Sequence, residues 1–81
     1  MLNIKVAGSG CPSCQRLEQL CREVISEANI EAEIEKITDL YQFQELGVMM
    51  TPGLLLNGKV VSAGKIPTKE TLEKWITTAN D

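Results

Sequence analysis

The residue types and spacing with the clearest chemistry are the two thiols of Cys11-Pro12-Ser13-Cys14. Cysteines three residues apart can lie side by side within one helical turn. They follow Gly8-Ser9-Gly10, a loop signal, and precede a run of helical periodicity, so they fall where a strand turns into a helix. A thiolate on Cys11 at that point faces unpaired backbone N–H groups and the positive end of the helix dipole, which lower a thiol pKa. Cys11 is therefore the expected nucleophile. Cys14 shares an apolar stripe with Leu17 and Cys21 and is the expected shielded, resolving thiol. Such a pair fits dithiol exchange: Cys11 forms a mixed disulfide with a substrate, and Cys14 attacks it and releases the product. The reverse direction oxidises a substrate.

The third cysteine, Cys21, is seven residues past Cys14, about 10.5 Å along a helix and beyond the roughly 7 Å Cα separation that a disulfide tolerates. It is expected to be a small core residue. A purely structural Cys11–Cys14 bond is the bland alternative, but so short a loop constrains the unfolded chain little. Histidine is absent from the sequence, which removes Ser-His-Asp and Cys-His catalysis. Thr51-Pro52 stands ahead of an apolar run, where Pro must open or edge a strand. From the sequence alone its peptide bond is expected to be trans, the commoner isomer.

The elements that position these residues can be read in order. Leu2 to Ala7 is a β-type run ended by the glycine-rich loop. Pro12 suits the first turn of a helix running to about Ala28, with Leu17, Leu20, Cys21, Val24 and Ile25 on one face and Asn29 as its cap. Ile30, Ala32 and Ile34 alternate with Glu31, Glu33 and Glu35, the pattern of a strand with one wet face, and so charged a strand belongs at a sheet edge. Asp39 with Gln42 resembles a capping box for a short helix bearing Leu40, Phe43 and Leu46 and closed by Gly47. Gly53-Leu54-Leu55-Leu56, Asn57-Gly58 and Lys59 to Ala63 read as a hairpin, and Thr68 caps a last helix with Leu72, Trp75, Ile76 and Ala79 inside. The order is βαβαββα, an α/β class with a right-handed parallel crossover followed by antiparallel strands.

The 81 residues, without repeat or linker, predict a single domain spanning 1–81. A net charge of −3, no Lys/Arg cluster and one each of Trp, Tyr and Phe argue against nucleic-acid binding. No apolar stretch is long enough to span a bilayer and the N-terminus lacks signal-peptide order, so the expectation is a cytoplasmic chain acting away from membranes. An odd number of cysteines in that setting fits thiols that react rather than staple.

The cysteine pair, Leu46-Gly47-Val48 leading to Thr51-Pro52, the Leu54-to-Gly58 segment, Gly64 and the Thr68-to-Trp75 helix together resemble the thioredoxin and glutaredoxin superfamily over nearly the whole chain. Gly8 to Cys14 and Thr51-Pro52-Gly53 look closest to its small, glutaredoxin-sized redox-active disulfide proteins. The resemblance implies a thioredoxin-like fold: a four-stranded mixed sheet of order 2-1-3-4 flanked by three helices. It also implies that Pro52 is cis and packs beside the cysteine pair, that Thr51 pairs through its backbone with an extended substrate, and that Pro12 and Ser13 join Thr51 and Pro52 in substrate binding. The implied activity is protein disulfide oxidoreduction by a monomer, with an external reductase as partner and no cofactor or metal. The chain departs from the superfamily in three places: Gly10 replaces the Trp that thioredoxins place before the first Cys, Lys65 follows Gly64 where glutaredoxins have a paired glycine, and the buried acid of thioredoxin has no counterpart.

A second reading uses the same two thiolates. Ile4 to Cys14 also resembles the opening of heavy-metal-associated domains, which hold Cu(I) between soft sulfur ligands. Those domains usually carry Met where this chain has Ser9, and their βαββαβ order ends in a strand rather than a helix. A zinc site would need a carboxylate or a second copy to complete its ligands. A dinucleotide fingerprint at Gly8 to Ser13 has Ser13 in place of the third Gly or Ala, in a chain short for a full dinucleotide site, and the presence of both cysteines argues against a non-catalytic adaptor.

Overall fold

A computed structural model describes residues 2–8 and 12–79 of the chain. Its elements are β1 (Leu2–Ala7), α1 (Pro12–Glu27), β2 (Ala32–Ile37), α2 (Leu40–Leu46), β3 (Gly53–Leu56), β4 (Lys59–Ala63) and α3 (Lys69–Ala79). They form a four-stranded sheet of order β2-β1-β3-β4. β1 runs parallel to β2, with Ile4 opposite Ile34, and antiparallel to β3, with Ala7 opposite Gly53. β3 and β4 are antiparallel. The fold expected from the resemblance is the fold observed.

Strand alternation sorts the core into two layers. Leu2, Ile4, Val6, Leu54 and Leu56 face α1 and α3, where Leu17, Cys21, Val24, Leu72 and Ile76 meet them. Ala7, Ile37 and Leu55 form a smaller cluster with Phe43 and Val48. Every residue of β3 is buried, as a central strand covered on both faces requires. β2 is an edge strand, and its Glu33 and Glu35 are exposed.

The caps expected from the sequence are present. Asn29 adopts φ 55°, and the bonds from Ile30 N–H to the Ile25 carbonyl (2.9 Å) and from Asn29 N–H to the Ser26 carbonyl (3.3 Å) close α1 as a Schellman motif. Gly47, at φ 81°, ends α2 in the same way, donating to the Gln44 carbonyl while Val48 N–H reaches that of Phe43. The Asp39 side chain accepts from Tyr41 N–H at 2.8 Å. At the hairpin, Asn57 (φ 52°) and Gly58 (φ 85°) occupy the left-handed region that a two-residue turn demands.

Two details differ from the sequence reading. The second strand starts at Ala32, so Ile30 belongs to the α1 cap, where its N–H closes the motif. In β4 the register slips between Leu54 and Leu55, leaving Val61 as an extra residue between Ser62, opposite Leu54, and Val60, opposite Leu55. A bulge turns consecutive residues toward one face, and no periodicity rule locates it in so short a strand.

Candidate functional site

Ser13 and Cys14 lie in the first turn of α1 after Pro12, with Pro12 and Ser13 exposed and Cys14 buried. Cys11 precedes that turn and lies outside the described residues. Cys14 carries a disulfide bond, whereas Cys21 is a free thiol. Cys21 is fully buried among the core side chains, as expected, and burial pushes its thiol up to about 12, with the nearby Glu18 carboxylate adding to the rise. It is therefore an inert thiol under neutral conditions.

The wall behind Cys14 is the end of β1. A Cβ built on Gly8 would stand 2.9 Å from the Cys14 Cβ and would overlap its Sγ. Only glycine lets the strand approach the cysteine this closely. Gly8 is fixed there by donating to the Ile37 carbonyl at 2.8 Å.

Pro52 enters from the neighbouring strand. Ala7 pairs with Gly53, so Gly8 and Pro52 are the next residues outward at the same end of the sheet. The Thr51–Pro52 bond is cis. This corrects the trans isomer expected from the sequence alone and agrees with the isomer implied by the resemblance; the local residues carry no signal for it, because X-Pro bonds are mostly trans. Pro52 is buried and its carbonyl accepts from Gly64 N–H at 2.9 Å. Thr51 is exposed, and no other described residue hydrogen-bonds its backbone. Met49 and Met50 beside it are also exposed, at 93% and 63%.

Sequence reasoning passed over an ion pair at this place. Glu18, one turn past Cys14, receives Lys36 Nζ at 3.1 Å and Arg22 Nη2 at 2.9 Å. The bond from Lys36 holds its carboxyl below the usual carboxylate range, against the opposing effect of burial and with help from Arg22. The signal was available: Glu18 stands at i+4 from Cys14, and Lys36 continues the inward alternation of Ala32 and Ile34. Val6 of β1 and Gly8 just past its end, Cys14, Gln15 and Glu18 of α1, and Lys36 of β2 with Thr38 just beyond it line a pocket of about 60 Å³.

A strand-helix-strand unit extended by a hairpin and a closing helix, with a disulfide-bonded cysteine at the start of α1 and a cis-proline at the adjacent strand end, defines the thioredoxin-like fold. Solved structures share it. A mutant thioredoxin from Halobacterium salinarum NRC-1 superposes with a TM-score of 0.74 at 20% identity, covering 99% of this chain and 75% of that one. The oxidised thioredoxin from Plasmodium falciparum gives 0.66 at 15% identity, covering 99% and 82%. In sequence, the chain is 39% identical over 74 residues to a thioredoxin of Methanothermobacter thermautotrophicus, covering 91% of this chain and 96% of that one. A thioredoxin of Methanocaldococcus jannaschii is 35% identical over 74 residues, covering 91% and 85%. The family profile described as "Thioredoxin domain" matches residues 2–77, and the chain belongs to the thioredoxin superfamily, a family of thiol-disulfide oxidoreductases.

Proposed function

We propose that the chain is a protein disulfide oxidoreductase in which Cys11 is the nucleophile and Cys14 the resolving thiol. The observation that carries the reading is Cys14 itself: disulfide-bonded, buried in the first turn of α1, and at the sheet end that also presents Pro52. Cys11 directly precedes that turn, and a thiolate there gains from the helix N-terminus. In the reductive direction the Cys11 thiolate attacks a substrate disulfide, one substrate thiolate leaves and takes a proton, and Cys11 is left in a mixed disulfide. Cys14 then loses its proton and attacks the Cys11 sulfur, the second substrate thiolate leaves, and two electrons have passed to the substrate. An external reductase restores the dithiol.

Thr51, whose backbone is unclaimed by the described residues, pairs with an extended substrate strand, while Pro12, Ser13 and Pro52 form the surface around the reacting sulfurs. The substrates are protein disulfides, and no cofactor or metal is needed. The working unit is one domain, a monomer in the cytoplasm. Lys65 after Gly64 favours protein substrates over glutathione. The Cu(I)-carrier reading has less support, because α2 stands between β2 and β3, where the βαββαβ order passes directly from strand to strand.

Mass-spectrometric thiol titration across a glutathione redox series, with copper and zinc measured on the same sample, tests this. The expected result is a reversible two-electron step joining Cys11 to Cys14 with Cys21 free. Stoichiometric metal on the pair, or a pair that never oxidises, would reject it. Cys14→Ser should accumulate a mixed disulfide on Cys11, detectable as a mass adduct that a dithiol removes.

A further inference from the structure

β4 and α3 leave a groove between them. Its volume is about 380 Å³, within the range of roughly 300–1,000 Å³ that small-molecule sites occupy. Leu56 at the end of β3, Val61 of β4, and Trp75 with Ala79 of α3 give it apolar walls. Those walls are pinned together: Asn57 Nδ2 donates to the Ala79 carbonyl at 3.2 Å and ties the end of α3 to the β3–β4 hairpin. The same bond occupies one of the acceptors at the helix C-terminus, where an anion would otherwise meet the negative end of the dipole. The groove lies away from the cysteines, since Leu56 is at the opposite end of β3 from Gly53, roughly 10 Å along the strand.

The charges around the groove say what it would accept. Among the described residues, Lys59 and Lys74 line it and no carboxylate does, in a chain whose net charge is −3. Neither lysine belongs to an ion pair among the described residues, whereas Lys36 and Lys69 both do. The nearest acids on the helix, Glu70 and Glu73, line a separate depression beside Lys74. Half-buried Trp75 has an indole N–H without an acceptor among the described residues, although such a group normally finds one when covered. An apolar trough bordered by cations and a spare donor is complementary to a molecule with an apolar body and one anionic end. Its eight described lining residues are far fewer than the roughly 20–30 that each side of a stable protein interface supplies, which favours a small ligand.

We propose that the groove between β4 and α3 binds a small organic anion of the fatty-acid class. Its hydrocarbon chain lies against Leu56, Val61 and Trp75, and its carboxylate is met by Lys59 and Lys74. The site is separate from the dithiol and does not rest on it.

Trp75 is the only tryptophan in the sequence, so its emission reports on the groove directly. Decanoate is the probe, with decanol and decyltrimethylammonium as compounds of equal chain length and different charge. Decanoate should change the Trp75 emission saturably, at one molecule per chain by calorimetry, with a Kd of about 0.1 mM for a ligand of about twelve non-hydrogen atoms. Lys59→Gln and Lys74→Gln should each weaken it about threefold, the effect of one exposed charge, and the double variant about tenfold. Decanol should match that tenfold loss, and the ammonium compound should bind more weakly still. Thr78→Glu, at an exposed position on the rim, places a like charge beside the carboxylate and should weaken decanoate about threefold or more. Urea unfolding confirms that each variant is folded. The assignment is overturned by an ammonium compound that binds as tightly as decanoate, by lysine and Thr78 variants that leave its affinity unchanged, or by no saturable change up to about 1 mM. A probe-free chain that sediments as a dimer, and as a monomer once Thr78→Glu is made, would put a second copy in the groove and overturn it equally.

Discussion

Gly8 and Cys14 constrain each other through a contact that leaves no room for a methyl group. Gly8→Ala should therefore strain the oxidised protein, in which the disulfide fixes the Cys14 side chain, more than the reduced one, where the side chain can change rotamer. Overpacking of this kind costs about 1–3 kcal/mol, and urea unfolding of both forms should show the larger loss in the oxidised protein. Cys21 gives a different residue-scale prediction. Its folded pKa, about 12, lies above the ordinary thiol value of 9.0, so the folded state keeps a proton that the unfolded state loses. The stability this contributes is complete below pH 9.0 and is lost as the pH rises from there toward 12, at no more than about 1.4 kcal/mol per pH unit. Cys21→Ala should flatten that alkaline loss in urea midpoints measured at successive pH values. At neutral pH, iodoacetamide should spare Cys21 in the folded chain. The inert thiol was legible from its place in the helical stripe, whereas the Gly8 contact was not, because nothing in the spelling of Gly8-Ser9-Gly10 says which glycine touches a sulfur.

At the scale of elements, Asn57 is a junction. Its backbone takes a left-handed conformation, its Oδ1 accepts from Asn3 N–H at 3.0 Å on β1, and its Nδ2 donates to the Ala79 carbonyl at 3.2 Å at the end of α3. Asn57→Gly keeps the turn and removes the side-chain bonds, at a cost of about 1–2 kcal/mol; Asn57→Ala adds the left-handed penalty of about 1–2 kcal/mol, so urea unfolding should rank it well below the glycine variant. The bulge in β4 has its own signature. It sets Ser62 opposite Leu54 with a buried hydroxyl that has no hydrogen-bond partner among the described residues. Ser62→Ala should then be neutral or stabilising by up to about 1 kcal/mol, an outcome opposite to that of most buried substitutions. Asn-Gly announced the hairpin and alternation announced β2, because both are local patterns. The bulge was invisible, and the proline isomer was legible only through the family resemblance, for the complementary reason: neither is decided by local pattern.

For the whole molecule, the two-layered core explains why so short a chain can hold a crowded and reactive corner. A chain of this length has a stability of roughly 4–12 kcal/mol, and truncating a fully buried side chain such as Ile4 or Leu54 removes about 2–5 kcal/mol of it. Ile4→Ala should therefore lower the urea midpoint by about a sixth or more, although Ile4 is no part of the site at the start of α1. Fold class and element order were legible because hydrophobic period, caps and turn residues agree along the entire chain, whereas the strand order came with the family resemblance. The ion pair behind Cys14 was harder to read: Glu18 stands at i+4 from Cys14, yet it counts as one more charge on a wet helix face until β2 brings Lys36 against it. The pairing of Ala7 with Gly53 also has a consequence in time. A chain emerging from the ribosome exposes both cysteines and the first strand-helix-strand unit well before residue 53 appears. Until then β1 is an edge and Pro52 has nowhere to sit, so a growing chain carries thiols without the platform that would hold a partner. Capacity to hold an extended partner beside the cysteines should therefore arrive only once the hairpin has docked.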